Sequence, residues 1–312
     1  MGDVFLKHIP VLLNEVIDYL HINPSGIYVD GTVGGGGHSF FIAKNLNDTG
    51  KLICIDQDEF ALEMARKKLL SFCNKTFFYH ANFSDIKKIV GNIGQVNGIL
   101  LDLGMSSFQI DDATRGFSYI HDAPLDMRMD KSKKFSAFDI VNGFTIQKLD
   151  DIIKTYGEEK FHKQIAKKIV SARSIAPIKT TLQLVEIIKS ALPSKVLHNG
   201  NHPAKKTFQA IRIAVNDELN ILEQTIFDAV DLLKPNGRLC IITFHSLEDR
   251  IVKHTFKKLQ NPCTCPSDFP ICICNKKTVC RLITPKPVLP SAMELQNNNR
   301  SHSAKLRVVE KI

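Results

Sequence analysis

Four short apolar runs separated by segments of helix length fill residues 26 to 104 of this 312-residue chain, and that alternation constrains the fold more than any other feature. GIYVDG (26 to 31), KLICIDQD (51 to 58), TFFYHANF (76 to 83) and NGILLDLG (97 to 104) read as strands. EFALEMARKKLLSF (59 to 72) reads as a helix with Ala61, Ala65 and Leu69 on one face. Runs as continuous as ILLDL suit strands covered on both faces, and the strand-helix rhythm predicts a parallel sheet.

Between about 111 and 206 the pattern turns helical and basic. EKFHKQIAKKIVSAR sets Phe161, Ile165, Ile169 and Ala172 on one face, and TTLQLVEIIKSALP opens with Thr180 three residues before Gln183, a capping-box spacing. A long helix is expected over roughly 207 to 233, with Phe208, Ile211, Val215, Leu219, Leu222, Ile226 and Val230 at helical spacing. Pro235, Asn236 and Gly237 end it, and GRLCIITFHS (237 to 246) and AKLRVVEKI at the end of the sequence resume the sheet. The expectation is one α/β domain made of residues 1 to 110 and 207 to 312, with a helical insertion at 111 to 206.

No run approaches the roughly 18 apolar residues a membrane span needs, and the charged start lacks the tripartite pattern of a signal peptide, so no membrane and a cytoplasmic location are expected. The net charge of +9 is uneven. Residues 111 to 206 carry 17 Lys+Arg against 11 Asp+Glu and residues 251 to 312 carry 11 against 3, whereas residues 1 to 110 carry 9 against 11. Two basic regions suit a polyanion partner such as nucleic acid, and they equally suit a solvated, solubilising surface.

Four consecutive glycines, Gly34 to Gly37, follow the first strand in YVDGTVGGGGHS. A glycine turn before a helix lets a ligand approach main-chain N–H groups. A phosphate loop is excluded, because Gly37 and His38 stand where its Lys and Ser/Thr belong. The dinucleotide pattern fails at Val33, Ser39 or Phe40, depending on which glycine starts it, which disfavours an NAD-type oxidoreductase. Asp56 closes the second strand 25 residues after Gly31, where a carboxylate holds ribose hydroxyls in doubly wound folds; the alternative is a helix N-cap or a surface acid. Asp102 ends the ILLDL run at the edge where such sheets bind ligands. With Asp30, these acids suggest S-adenosylmethionine, whose sulfonium is cationic and whose amino-acid end needs polar partners.

HIPVLLNEV, YVDGTVGGGGHS, LLDLGMSSFQIDDATRGFSY, DAPLDMRMD, TYGEEKF, HPAKKTFQAIRIAVNDEL and GRLCIITFHSLEDRIVK, in that order, resemble the bacterial RsmH (MraW) family. The resemblance implies a class I S-adenosylmethionine-dependent methyltransferase, with a Rossmann-like sheet, helices on both faces and an inserted helical domain. It implies N4-methylation of a cytidine in the P-site region of 16S ribosomal RNA, on a 30S particle or its precursor. It assigns the methionine end of the cofactor to Gly36, Gly37 and His38, the ribose to Asp56 and the adenine to Phe83, with Asp102 and Gln109 completing the pocket. Where many amino-methyltransferases carry an Asp/Asn-Pro-Pro-Tyr/Phe turn, this sequence reads DLGMSS; Asp102 or a nearby carbonyl is then expected to orient the amine. A non-catalytic RNA-binding or assembly factor is the alternative.

FHSLEDR (244 to 250) lacks a nucleophile elbow around Ser246, which disfavours a hydrolase. His245 and Arg250 are candidates for the RNA side of the crevice or, alternatively, a packed His and a surface Arg. In DAPLDMRMD, Met127 and Met129 alternate as core filler around Arg128. Arg115 and Arg128 are candidate RNA contacts unless they pair with Asp122, Asp126 or Asp130. Cys54, Cys73 and Cys240 read as small core residues. The methyl transfer requires no metal, but Cys263, Cys265, Cys272 and Cys274 offer four thiolates for a structural zinc, although their C-x-C spacings are tighter than zinc sites usually have; the alternative is a cysteine-rich surface loop.

Overall fold

The structure is a computed structural model and describes residues 10–197, 200, 202–265 and 273–312. Its strands are β1 Ile27–Asp30, β2 Lys51–Asp56, β3 Thr76–His80, β4 Val96–Asp102, β5 Leu233–Thr243, β6 Cys280–Leu282 and β7 Lys305–Lys311. They form one sheet in the order β3-β2-β1-β4-β5-β7-β6. The first five run parallel, and β7 inserts antiparallel between β5 and β6.

Strand side chains alternate between the two faces, so a sheet covered on both must be apolar at successive positions. Val29, Ile53, Ile55, Ile99, Leu101, Leu239 and Ile241 pack on one face with Ile86, Val90 and the helices Leu222–Leu232 and Ser246–Gln260. Tyr28, Leu52, Cys54, Leu100, Cys240 and Ile242 pack on the other with the helices Leu13–Leu20, Gly37–Lys44 and Glu59–Lys68. The result is the expected three-layer α/β sandwich. Cys54 and Cys240 are fully buried, but Cys73 is exposed, because the helix expected to run to residue 72 ends at Lys68 and a short 3-10 turn, Leu70–Phe72, carries Cys73 outward. TFFYHANF is likewise a strand only to His80, and Phe83 opens a 3-10 turn capped by Asn82.

The chain divides into two compact units, one reaching to Gly104 and resuming at Leu219, the other Met105–Glu218. The helix expected over 207 to 233 is two helices, Lys205–Asn216 and Leu222–Leu232. Asp217, at φ 54°, adopts the left-handed conformation that terminates helices, and the apolar periodicity alone does not register that break. Phe208, Ile211 and Val215 join the core of the second unit with Met127, Met129, Leu149, Ile165 and Leu184, whereas Leu222, Ile226 and Val230 join the sheet's core.

One side chain ties the second unit's helices to its irregular DMRMD segment. Asn216 Oδ1 accepts the Met129 N–H at 2.8 Å, and Nδ2 donates to the Met127 carbonyl at 2.8 Å and to the Arg212 carbonyl at 2.9 Å. Asn216 is 3% exposed, so water does not replace those bonds. Met127, held at φ 56°, needs that outside support for an otherwise unfavourable conformation. Asn216→Ala is expected to lower the unfolding free energy by roughly 2–4 kcal/mol, because buried main-chain groups lose their partners. Chemical denaturation of the two proteins checks this, and a change below about 0.5 kcal/mol would contradict the clamp.

Candidate functional site

In the sheet unit, β1, β2 and β4 end in Asp30, Asp56 and Asp102. All three acids lie at the C-terminal edge of parallel strands, where ligands enter such sheets. The glycine turn is laced to that edge by main-chain bonds. Gly31 N–H donates to the Leu100 carbonyl at 2.9 Å and Val33 N–H to the Ile55 carbonyl at 3.0 Å. Gly36 has φ 75°, and a Cβ on Gly37 would stand 2.6 Å from Pro10 Cγ, so the first suits glycine by conformation and the second by space.

Two acids hold the turn. Asp30 Oδ2 accepts the Ser39 hydroxyl at 2.6 Å and Oδ1 accepts the Thr32 N–H at 3.2 Å. Asp56 Oδ2 accepts the Gly34 N–H at 2.8 Å and Oδ1 the Asp58 N–H at 2.9 Å. Asp58, rather than Asp56, caps the following helix by accepting the Phe60 N–H. Each Asp56 oxygen keeps a lone pair for a further donor. Phe83 follows β3 nearby, its Cβ 3.5 Å from where a Gly31 Cβ would stand.

The third acid is held differently. The Asp102 main-chain N–H donates to Thr32 Oγ1 at 2.6 Å, but its buried side-chain Oδ1 has no hydrogen-bond partner among the described residues. Its Oδ2 faces His38 Nδ1 at 3.5 Å. His38 Nε2 donates to the Val11 carbonyl at 2.9 Å, so in the neutral ring Nδ1 carries a lone pair and turns it toward the carboxylate. Burial lowers His38 to about 4, with Lys68 adding to the shift, so the ring is neutral at pH 7. Burial raises Asp30 and Asp56 to about 6. Burial, then Asp30 and Glu248, raise Asp102 well above the ordinary carboxylate range. An acid without a donor beside an imidazole lone pair is a site for a cationic or N–H-bearing group, and it fits the ammonium end of S-adenosylmethionine.

The structure brings Gly36, Gly37, His38, Asp56, Phe83 and Asp102 into the sheet unit, whereas Gln109 belongs to the other unit. There Gln109 is 3% exposed and closes a capping box, its Oε1 accepting the Ser106 N–H at 3.0 Å. Arg115 is 3% exposed, and its guanidinium donates to the Arg128 and Met129 carbonyls at 3.0 Å each, holding the DMRMD segment. Arg128 grips Asp126 through two bonds of 2.7 and 2.9 Å, one of the ion pairs weighed from the sequence. His245 caps Ser246–Gln260: its Nδ1 accepts the Glu248 N–H at 3.4 Å, while Glu248 Oε2 accepts the Phe244 N–H at 2.8 Å. Arg250 is exposed on that helix. Cys263, Cys265 and Cys274 lie together, and Cys272 lies outside the described residues.

Thr32 and Ser39, which orient Asp102 and Asp30, were missed from the sequence. Their signal was adjacency alone, a hydroxyl on each flank of the glycine run in GTVGGGGHS.

A carboxyl raised on folding binds its proton more tightly folded than unfolded, so its contribution to stability is greatest below about pH 4 and falls as pH rises through the folded pKa. The unliganded chain is therefore expected to lose more thermal stability between pH 5 and pH 8 than its Asp102→Asn variant, which removes the repulsion with Asp30 and Glu248. His38 works oppositely below about pH 6.5, so the difference between the two proteins isolates Asp102. Scanning calorimetry across that range checks it, and parallel curves would contradict it.

The family model described as the MraW methylase family matches residues 5–312. The chain is 55% identical over 308 residues to ribosomal RNA small subunit methyltransferase H 2 of Agathobacter rectalis, covering 98% of each protein. It is 54% identical over 309 residues to ribosomal RNA small subunit methyltransferase H of Finegoldia magna, covering 98% of this chain and 99% of that one. It is 55% identical over 310 residues to the enzyme of the same name from Ruminiclostridium cellulolyticum, again covering 98% and 99%. A match along nearly the whole chain, with the glycine turn and its three acids in place, means that the chain belongs to the MraW methylase family.

Proposed function

We propose that this protein methylates the exocyclic N4 of a cytidine in the P-site region of 16S ribosomal RNA, using S-adenosylmethionine, on a 30S particle or its precursor. Methylation of small-subunit ribosomal RNA follows from relatives of that name at 53–55% identity over 98% of this chain. The observation that carries the site reading is Asp102 Oδ1 beside the glycine turn, buried and without a hydrogen-bond partner among the described residues.

S-adenosylmethionine, when bound, supplies a methyl group made electrophilic by its sulfonium. Gly36, Gly37 and His38 hold the amino-acid end, Asp56 accepts the ribose hydroxyls and Phe83 covers the adenine. The target amine is a poor nucleophile because its lone pair is delocalised into the ring. The chain's contribution is therefore alignment, together with an acceptor for an amine N–H at Asp102 or a neighbouring main-chain carbonyl. Arg128, His245 and Arg250 face the RNA in this reading, with Arg128 and His245 keeping their present roles in the DMRMD segment and the helix cap. In this reading the protein acts on ribosomal particles in the cytoplasm, and no helix of the described residues is long and apolar enough to cross a membrane.

A cation bound at Asp102 lowers that carboxyl's pKa, so cofactor binding is expected to release protons and to tighten as pH rises from 6 to 8. Calorimetric titration in buffers of different ionisation enthalpy reads the proton count. Asp102→Asn is expected to reduce that count and to lower both affinity and turnover at least tenfold; full affinity and turnover in the variant would sink the assignment. The reaction itself is tested on 30S particles from a strain lacking the gene, with the transferred methyl mapped by mass spectrometry. A methyl on any atom other than a cytidine N4, or none, overturns the proposal and, if none, favours a non-catalytic assembly factor.

A further inference from the structure

Between helix Ser246–Gln260 and β6 the chain makes an excursion closed at its base, where Val279 N–H donates to the Leu259 carbonyl at 3.0 Å. Val279 in turn receives the Ile312 N–H at 3.1 Å, which pins the base to the end of β7. Beyond that base the described residues of the excursion have no apolar reason to keep a shape. None of its described residues from Asn261 to Thr278 belongs to a hydrophobic core, and Ile273 is 69% exposed.

What the excursion brings together is sulfur. Cys263 and Cys265 from its outgoing limb and Cys274 from its return limb place their Sγ atoms within 4.8 Å of one another. Cys263 and Cys274 are 3.8 Å apart Sγ to Sγ, and Cys265 Sγ accepts the Ile273 N–H at 3.4 Å. A disulfide holds its sulfurs at about 2.05 Å, so this pair is not one. Two thiolates on a tetrahedral zinc, each about 2.3 Å from the metal, stand about 3.8 Å apart. An N–H donated to a sulfur, as Ile273 gives Cys265, is the kind of support that stabilises a metal-bound thiolate. Cys280, by contrast, is fully buried in β6, and burial pushes its thiol up to about 11; it is a core residue rather than a ligand. The tight C-x-C spacing is no obstacle here, because the third sulfur comes from the opposite limb and not from the same turn.

We infer that Cys263, Cys265 and Cys274 form a structural thiolate site for zinc, which ties the outgoing limb to the return limb in place of a hydrophobic core. Three thiols lose their protons to solvent as the metal binds, with no redox change. The site supplies no chemistry to methyl transfer.

The test uses the full chain, expressed with added zinc and purified under reductant without chelator. Elemental analysis is expected to find about one zinc per chain, retained by a Cys73→Ser control and lost from Cys263→Ser and Cys274→Ser. Replacement by cobalt in the unmutated chain is expected to give the thiolate-to-cobalt charge-transfer band and the intense visible bands of a tetrahedral site, a readout that needs no variant to fold. Metal removal is expected to speed proteolysis between residues 260 and 279 while S-adenosylmethionine binding is unchanged, so failure here is distinct from failure of the methylation reading. Zinc below about a tenth per chain, a Cys263–Cys274 disulfide on peptide mapping, or zinc retained in both ligand variants would each overturn the inference.

Discussion

The glycine turn depends on buried negative charge being held by dipoles rather than by cations. Asp30 and Asp56 take N–H and O–H donors from the turn itself, and those same bonds fix the backbone that a ligand must approach. The arrangement is costly while empty, since three acids and a neutral imidazole share one poorly solvated edge. A cationic ligand relieves that cost, which makes the electrostatic strain of the unliganded state a source of selectivity for a sulfonium cofactor over an anionic nucleotide.

Most of this architecture was legible because its physics is periodic. Strands buried on both faces need unbroken apolar runs, and Ile53 with Leu52, or Leu101 with Leu100, show each face taking alternate residues. The break at Asp217 was not legible, because a left-handed residue between two apolar periods leaves the period intact when the intervening turn has helical length. The exposure of Cys73 followed from the same kind of local ending, a helix closing four residues early.

The acids of the site were legible from position, since a carboxylate at the end of an apolar strand has little structural reason to be there. The arginines were legible only as alternatives: Arg115 is buried against main-chain carbonyls, and Arg128 pairs with Asp126, one of the acids its sequence neighbourhood offered. Composition reports the sum of a unit's charge, whereas function depends on which members of it are already occupied. Asn216 makes the same point for neutral residues: nothing in its surroundings distinguishes a buried clamp from a solvent-facing helix residue.

The placement of the second unit bears on how the chain folds. β4 and β5 are neighbours in the sheet, yet the 114 residues of Met105–Glu218 separate the two halves of the sheet unit. Closing a disordered loop of that length carries an entropic penalty that grows with the logarithm of its length. Because the intervening segment has its own core, order within it leaves a shorter effective loop for the two halves of the methyltransferase sheet to close.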